Sequence, residues 1–176
     1  IASNSEANLA IETHNDSTSE SANIRFYKSG NTGASPQVVE TDDVIARLQA
    51  YGYDGTDYAN QACGIDFAVD GAPGSNDMPG KIVLATTADG ATSATERLRI
   101  TSSGGFQFSN GLFDEKCNIT AGKLSDNQNI DLADGMVHYF STQESTTATP
   151  NIRINSSISL QTAMDTGDVC SVTLIT

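Results

Sequence analysis

The sequence has little basic charge and no tryptophan. Of its 176 residues, 9 are Lys or Arg and 22 are Asp or Glu, so the net charge at pH 7 is -13. Affinity for nucleic acid depends on Lys and Arg that displace counterions from phosphates, so we expect no nucleic-acid partner. The same charge repels anionic lipid surfaces. Acidity of this kind favours solubility, neutral or cationic ligands, or divalent cations.

Cysteine is also scarce. Cys63, Cys117 and Cys170 are odd in number and far apart, which argues against a disulfide framework, and none has the nearby Cys or His partner of a zinc site. We therefore expect free thiols, no metal and no cofactor. No run approaches the ~20 apolar residues of a membrane span, so we expect no membrane insertion. Because the chain begins at Ile1 rather than Met, we expect it to be part of a longer protein.

Histidine, the usual base of a nucleophilic triad, occurs only as His14 and His138. His14 lies in a polar run, and the pattern around His138 predicts a packed or interface residue. The nucleophile elbow of hydrolases and the phosphate-binding glycine loops are absent. Asp66 lies inside an apolar strand pattern, but strict alternation places it with Gly64 and Ala68 on the side opposite its apolar neighbours, as expected of a structural residue. We predict no catalytic residues and no enzymatic activity.

Short alternating segments bounded by turn residues recur along the chain, which is typical of half-buried strands. In the first part, strands are predicted at residues 8–12, 23–28, 44–53, 64–69, 81–86 and 96–101. Glycine follows each of Asp54, Asp70, Asp89 and Asp134. Such pairs accept the positive φ of tight hairpin turns, so they favour antiparallel neighbours.

The pattern changes after Phe108, where Ser109, Asn110 and Gly111 are typical of a linker. Beyond it, strands are predicted at residues 136–140, 151–154 and 169–176, with a single helical turn at 160–164. No fixed period indicates a solenoid. We predict an all-β fold of antiparallel strands, β-sandwich-like or jelly-roll-like. Its two modules are a fibre-type domain at residues 1–108 and a sandwich-like module at 109–176.

Three tyrosines, Tyr51, Tyr53 and Tyr58, cluster around one predicted turn. Exposed tyrosine rings stack on sugars, so a glycan contact is one interpretation. Packing against a neighbouring subunit is the other, and we favour it. Asp54 and Asp57 in the same turn resemble the start of a calcium loop, but the bidentate Glu of such a loop is missing, so we predict no metal site.

The runs NIRFYKSG (residues 23–30), YGYDGTDY (51–58), DGAPGSNDMPGKIVLATTADG (70–90) and ERLRITS (96–102) follow one another in an order and spacing that resembles tail-fibre proteins of marine and other bacterial viruses. The resemblance covers residues 8–105, and residues 130–176 are more loosely similar to C-terminal modules of such proteins. It implies a homotrimeric fibre, a location in the virion as a tail or capsid appendage, and synthesis in the host cytoplasm. Many relatives continue into a self-cleaving chaperone domain. This chain reads GFQF at residues 105–108, so self-processing is not implied.

A virion structural protein of a tail fibre or fibre-like appendage, touching the host surface during adsorption, is therefore the expected function. Its partners would be further copies of itself, other virion proteins and a host-surface glycan. Trimerisation also has a physical reason, because short strands with small hydroxylated side chains bury little area alone and leave open sheet edges. The alternatives are a capsid decoration or cement protein and a tailspike-type enzyme that degrades polysaccharide.

Overall fold

The structure, a computed structural model, describes residues 6–14 and 16–176 as two compact, mainly β units. The first unit ends at Gly111, and the second is Leu112–Thr176. The strands of the first unit are β1 (Gly30–Thr32), β2 (Ser35–Gln37), β3 (Val44–Tyr51), β4 (Gln61–Val69), β5 (Gly80–Thr86), β6 (Thr95–Ile100) and β7 (Phe106–Phe108). Those of the second are β8 (Cys117–Thr120), β9 (Asn129–Asp131), β10 (Val137–Phe140), β11 (Asn151–Asn155), β12 (Ile158–Ser159) and β13 (Thr173–Ile175). This unit also contains one α-helical turn, α1 (Leu160–Ala163), and two 3-10 turns, Leu124–Asp126 and Leu132–Asp134. The all-β prediction is confirmed.

The first unit contains one five-stranded sheet in the order β3-β4-β5-β6-β7, and every neighbouring pair is antiparallel. Strands β1 and β2 form a separate small hairpin. Two of the predicted Asp-Gly turns lie between sheet strands, where Gly55 and Gly90 have φ values of 101° and 76°. Glycine adopts such angles without strain. The connections span residues 52–60 and 87–94, so each Asp-Gly pair is a turn within a longer connection and does not form the predicted tight hairpin turn.

The Asp70–Gly71 pair does not form the predicted tight turn. Instead, the N–H of Asp70 donates to the carbonyl of Pro79 at 2.9 Å, which closes a longer loop between β4 and β5. The positive φ in this loop belongs to Asn76, at 60°. The carboxylate of Asp70 accepts bonds from the N–H and hydroxyl of Ser102, both at 2.8 Å, so it ties the loop to the end of β6.

The predicted strands at residues 8–12 and 23–28 are wrong. Both segments lie outside the strands of the described residues, although the second is anchored by side chains. The ring of Phe26 stacks on that of Phe67 with centroids 6.4 Å apart, and Lys28 Nζ contacts Asp43 Oδ1 at 2.8 Å. Alternation prepares a segment for pairing, but a strand also needs a partner backbone, and β1 to β7 pair with one another.

The second unit differs from the antiparallel expectation, because most of its strands pair in parallel. Sheet order is β13-β10-β8 in one sheet and β12-β11-β9 in the other, and only the β11–β12 pair is antiparallel. Strands β8, β9, β10 and β11 alternate between the two sheets in chain order. The chain therefore winds, and each turn places a strand in parallel beside the strand one turn earlier. A jelly roll, whose strands are antiparallel, is excluded for this unit.

The winding has a period that the sequence did not reveal. Asn118 pairs with His138, 20 residues later, and Asn129 pairs with Asn151, 22 residues later. Asn129 and Ile130 match the identical residues Asn151 and Ile152, but their neighbour Asp131 matches Arg153, so the identity extends over only two positions. Between β8 and β10, Val137 matches Cys117 and His138 matches Asn118. Solenoid-like winding is therefore a correction to the sequence analysis.

The core of the second unit lies between its two sheets. Ile130 on β9 and Phe140 on β10 are almost completely buried, and Leu124 packs with them. Partly buried neighbours from both sheets and the connecting loops complete the cluster: Leu132, Ala148, Ile152, Val172 and Leu174. The two sheets of the second unit thus form two layers around one core, as in the predicted sandwich-like module. The first unit instead has one large sheet.

Candidate functional site

One face of the five-stranded sheet is covered with apolar side chains from edge to edge. Residues directly opposite each other on neighbouring strands point to the same face. One such row is Leu48, Ile65, Leu84, Leu98 and Phe108, and the row beside it is Ala46, Phe67, Ile82, Ile100 and Phe106. We call these ten side chains the apolar face. None of them carries a charge.

Four of the ten side chains of the apolar face are exposed in the single chain, the other six are half-buried, and Phe26 stacks on Phe67. Leu48 is 50% exposed, Ile82 37%, Phe106 67% and Phe108 51%. Exposing apolar surface to water costs roughly 25 cal/mol of free energy for each Å². Contiguous exposed apolar patches on soluble proteins usually mark contact surfaces. The apolar face therefore has the properties of an interface.

A shallow groove lies on the sheet where β3, β4 and β5 meet. Its volume is about 430 Å³. Leu48 and Ile65 form part of its wall, and the small side chains of Ala50 and Cys63 leave the space open. This groove could accept one or two large apolar side chains.

The opposite face of the sheet is polar and internally paired. Arg47 donates from Nε to Asp66 Oδ2 at 3.3 Å, and Arg99 donates two bonds to the carboxylate of Glu96, each at 2.6 Å. The pKa of Glu96 is lowered, chiefly by the bonds from Arg99. Asp66, the acid noted in the sequence, is thus an ion-pair partner of Arg47. The pairing neutralises charges within this face.

The three tyrosines are exposed at one end of the same sheet. Tyr51 ends β3, while Tyr53 and Tyr58 lie in the following turn with ring centroids 5.4 Å apart and planes at 48°. The exposed fractions are 45%, 59% and 65% in the same order. The structure therefore brings Tyr53 and Tyr58 together as an aromatic pair, and we call the segment 53–60 the tyrosine turn.

The carboxylate of Asp54 holds the tyrosine turn in shape. Its Oδ1 accepts bonds from the N–H groups of Asp57 and Thr56 at 3.1 and 2.8 Å, and its Oδ2 accepts one from the side-chain amide of Asn60 at 3.2 Å. These bonds, from Asp57 and Thr56 first, lower the pKa of Asp54. The hydroxyl of Tyr53 donates to the carbonyl of Gly55 at 3.0 Å. The aromatic pair is thus presented on an ordered support.

His138 is a packed residue of the second unit. It is 2% exposed, with Nε2 at 2.9 Å from the carbonyl oxygen of Gly135 and Nδ1 at 3.4 Å from the side-chain nitrogen of Asn118. Nε2 therefore donates to Gly135 in the same turn of the winding, and Nδ1 accepts from Asn118 in the turn before it. Cys63, Cys117 and Cys170 are free thiols.

Residues 6–14 and 16–176 contain neither a metal-binding cluster nor a membrane-spanning helix. No group of three or more His, Cys, Asp or Glu side chains there is arranged to hold a metal ion. In that same part of the chain, no helix has the length and apolar character needed to cross a bilayer.

No family model and no curated protein sequence matches this chain. Solved structures do match. The carboxy-terminal domain of the bacteriophage T5 L-shaped tail fibre aligns at 16% identity over 83% of this chain and 55% of that chain, with a TM-score of 0.50. A second structure of that domain, which includes its intramolecular chaperone domain, aligns at 20% identity over 58% of this chain and 25% of that chain, with a TM-score of 0.49.

This chain has the fold of a phage tail-fibre domain. The resemblance that the sequence indicated is thereby confirmed at the level of fold. The alignment reaches beyond the first unit, since it spans 83% of the chain. The chain matches only about half, 55%, of the tail-fibre domain with which it aligns.

Sequence reasoning identified the tyrosine turn because its members are close neighbours along the chain. It missed the apolar face as a site. Alternation within each strand was visible, but which residues lie in one row depends on the register between strands, and bulges shift that register between Val44 and Ala46 and between Leu84 and Ala85.

Proposed function

We propose that this chain is a structural part of a bacteriophage tail fibre or fibre-like appendage and assembles as a homotrimer through its apolar face. The observation that carries the proposal is the uncharged, exposed sheet face of an otherwise strongly acidic chain. The shared fold supports it, because a tail-fibre domain is built in the same way.

Self-association explains both the apolar face and the charge. Copies with a net charge of -13 repel one another through their charged surfaces, so a stable contact needs a patch free of charge. The apolar face is such a patch. Burying it between copies would remove its side chains from water and give the single-layered first unit a second layer.

Light scattering coupled to size-exclusion chromatography tests assembly. The wild-type chain, 18.5 kDa, should elute with the mass of three copies. Leu48→Glu places a charge on the apolar face at a site that is half exposed in the single chain, so it should give a folded monomer. Gln107→Glu adds the same charge on the opposite face and should remain trimeric. A wild-type chain that is monomeric at micromolar concentration would refute the proposal.

Location on the particle is tested separately. An antibody against the chain, viewed on virions by negative-stain electron microscopy, should label the tail or a projecting fibre. Label distributed over the capsid surface, with adsorption unchanged when the chain is lost, would support the decoration-protein alternative instead.

We also propose that the chain has no polysaccharide-degrading activity. Support comes from the acids that sequence reasoning weighed: Asp66 is paired with Arg47, and Asp54 is occupied by backbone N–H groups. Incubation of the trimer with host surface polysaccharide should release no new reducing ends. Release that is abolished by Asp66→Asn would establish the tailspike alternative.

The tyrosine turn favours a second role, contact with a host-surface glycan. Its paired, exposed rings offer the flat apolar surface on which a sugar can stack, and the ordered turn lowers the entropy cost of binding. The double variant Tyr53→Ala with Tyr58→Ala should lose binding on a glycan array and still form trimers. Tyr27→Ala, at another exposed tyrosine, is the control. If the double variant loses trimers instead, these tyrosines are subunit contacts.

A further inference from the structure

The two ends of the apolar face have complementary shapes. At the β3–β5 end, the small side chains of Ala50 and Cys63 beside Leu48 leave the groove of about 430 Å³. At the other end, β7 carries Phe106 and Phe108, which are 67% and 51% exposed on the same face. One end therefore has space for large apolar side chains, and the other end projects them.

A chain cannot bring its own β7 phenylalanines into its own groove. Strands β4 and β7 are separated by β5 and β6 in the sheet, which at ~4.8 Å for each strand spacing is about 14 Å, and the nearest wall of the groove, on β5, is still about 10 Å from β7. The sheet is continuous and hydrogen-bonded across that distance, so its ends do not fold onto each other. The groove and the phenylalanines can meet only between two copies.

We propose that the β7 phenylalanines of one copy fill the β3–β5 groove of the next copy, in a head-to-tail ring. The inference rests on the proposed self-association and specifies its geometry. A contact between two different patches of the same chain is heterologous, and such contacts close into a ring when the rotation permits. Both patches are uncharged, so the contact avoids the repulsion of the acidic chains.

The chain contains a natural reporter for this contact, because Cys63 lines the groove. The test chain carries Phe108→Cys and keeps Cys63, with Cys117→Ser and Cys170→Ser removing the other thiols. Oxidation should give covalent dimers and trimers on a non-reducing denaturing gel, and reductant should return them to single chains. A disulfide within one chain is excluded, because Cα atoms more than 7 Å apart cannot be bridged.

Three controls make the result specific. Gln107→Cys in the same background places the thiol on the opposite face of β7 and should give single chains. Cys63→Ser added to Phe108→Cys should abolish the covalent trimers. Phe108→Cys could fail because it removes a phenylalanine that the contact needs. Phe106→Cys keeps Phe108 in place and should also give covalent trimers.

The outcomes separate the geometry from the assembly. Chains that form trimers by light scattering but show no cross-link from position 106 or 108 to Cys63 overturn the head-to-tail contact and leave self-association standing. Cross-links that persist after Cys63→Ser mean that β7 of one copy contacts β7 of another copy, and this result also overturns the head-to-tail contact. Monomeric wild-type chains overturn both proposals.

Discussion

Gly135 lies against the backbone carbonyl of Lys116, one turn earlier in the winding of the second unit. A Cβ at this position would overlap the carbonyl oxygen and carbon of Lys116, and the φ of Gly135 is 138°, in a region that side chains rarely adopt. Because the carbonyl of Gly135 also accepts the bond from His138, this glycine links the backbone of one turn to the packing of the next.

Gly135→Ala should destabilise the second unit by about 3 kcal/mol or more, because backbone strain and steric overlap add together. Hydrogen exchange measured by mass spectrometry should show faster exchange in peptides from the second unit and little change in β3 to β6. Gly167→Ala is the matched control, since Gly167 has a φ of 103° with open space around it, and should cost about 1 kcal/mol. Equal effects of the two substitutions would contradict the close approach.

Ile130→Ala should lower the free energy of unfolding by about 2 to 5 kcal/mol, because Ile130 is fully buried between the two sheets of the second unit. Urea denaturation followed by circular dichroism measures the loss. Val169→Ala shortens a side chain that is 89% exposed and should change stability by less than about 0.5 kcal/mol. A small loss for Ile130→Ala would mean that the cluster is loosely packed.

Glu144 anchors the loop that follows β10. Its carboxylate accepts bonds from the N–H groups of Thr146 and Ser125, at 2.9 and 2.8 Å, and from their hydroxyls, and these bonds lower its pKa to about 2 from 4.5. A lowered pKa in the folded state contributes stability that is present above the unfolded value and is lost as the pH falls through the folded value. The contribution of Glu144 should therefore disappear between pH 4.5 and about 2.

Glu144→Gln should reduce the melting temperature at pH 7, because the amide nitrogen cannot accept the bonds that a carboxylate oxygen accepts. Thermal unfolding of the two proteins at a series of pH values provides the test. The difference between wild type and variant should shrink as the pH falls from 4.5 towards 2. A difference that stays constant with pH would show that the carboxylate charge has no role in holding the loop.

Asp54→Ala should loosen the tyrosine turn without unfolding the sheet, because it removes the acceptor for the N–H groups of Thr56 and Asp57. Hydrogen exchange should accelerate in peptides that cover residues 53–60 and remain unchanged in β4 and β5. Asp54→Asn keeps a side-chain oxygen in the Oδ1 position and should retain most of the protection. If both variants behave as wild type, the turn is held by its aromatic pair instead.

The sheet of the first unit was largely predictable because its pairing is local. Strands β3, β4 and β6 contain alternating apolar and polar residues, and β5 is a short apolar run. Each of these strands pairs with the strand that follows it in the chain. The strand predicted at residues 44–53 is present as β3. The segment at residues 23–28 alternates equally well, yet it is no strand in the described chain, since pattern alone does not supply a neighbour.

The second unit was less predictable because its partners are distant in sequence. Strand β10 pairs with β8 and β13, and nothing in the residues Val137 to Phe140 specifies either partner. Parallel neighbours also need no tight turn between them, so the Asp-Gly signal at Asp134 does not mark a hairpin. There, Gly135 precedes β10 and lies beside Lys116.

The winding of the second unit limits how its length can change during evolution. An insertion of 20 to 22 residues adds a complete turn and keeps every inward side chain facing inward, whereas a one-residue change inside a strand reverses them. Insertions or deletions shorter than a complete turn are tolerated only in the loops that connect the strands. The passage from β11 to β13 illustrates this freedom, because it accommodates β12 and α1 while β13 still joins β10 in register. A protein of this design can lengthen by copying whole turns and diversify between them.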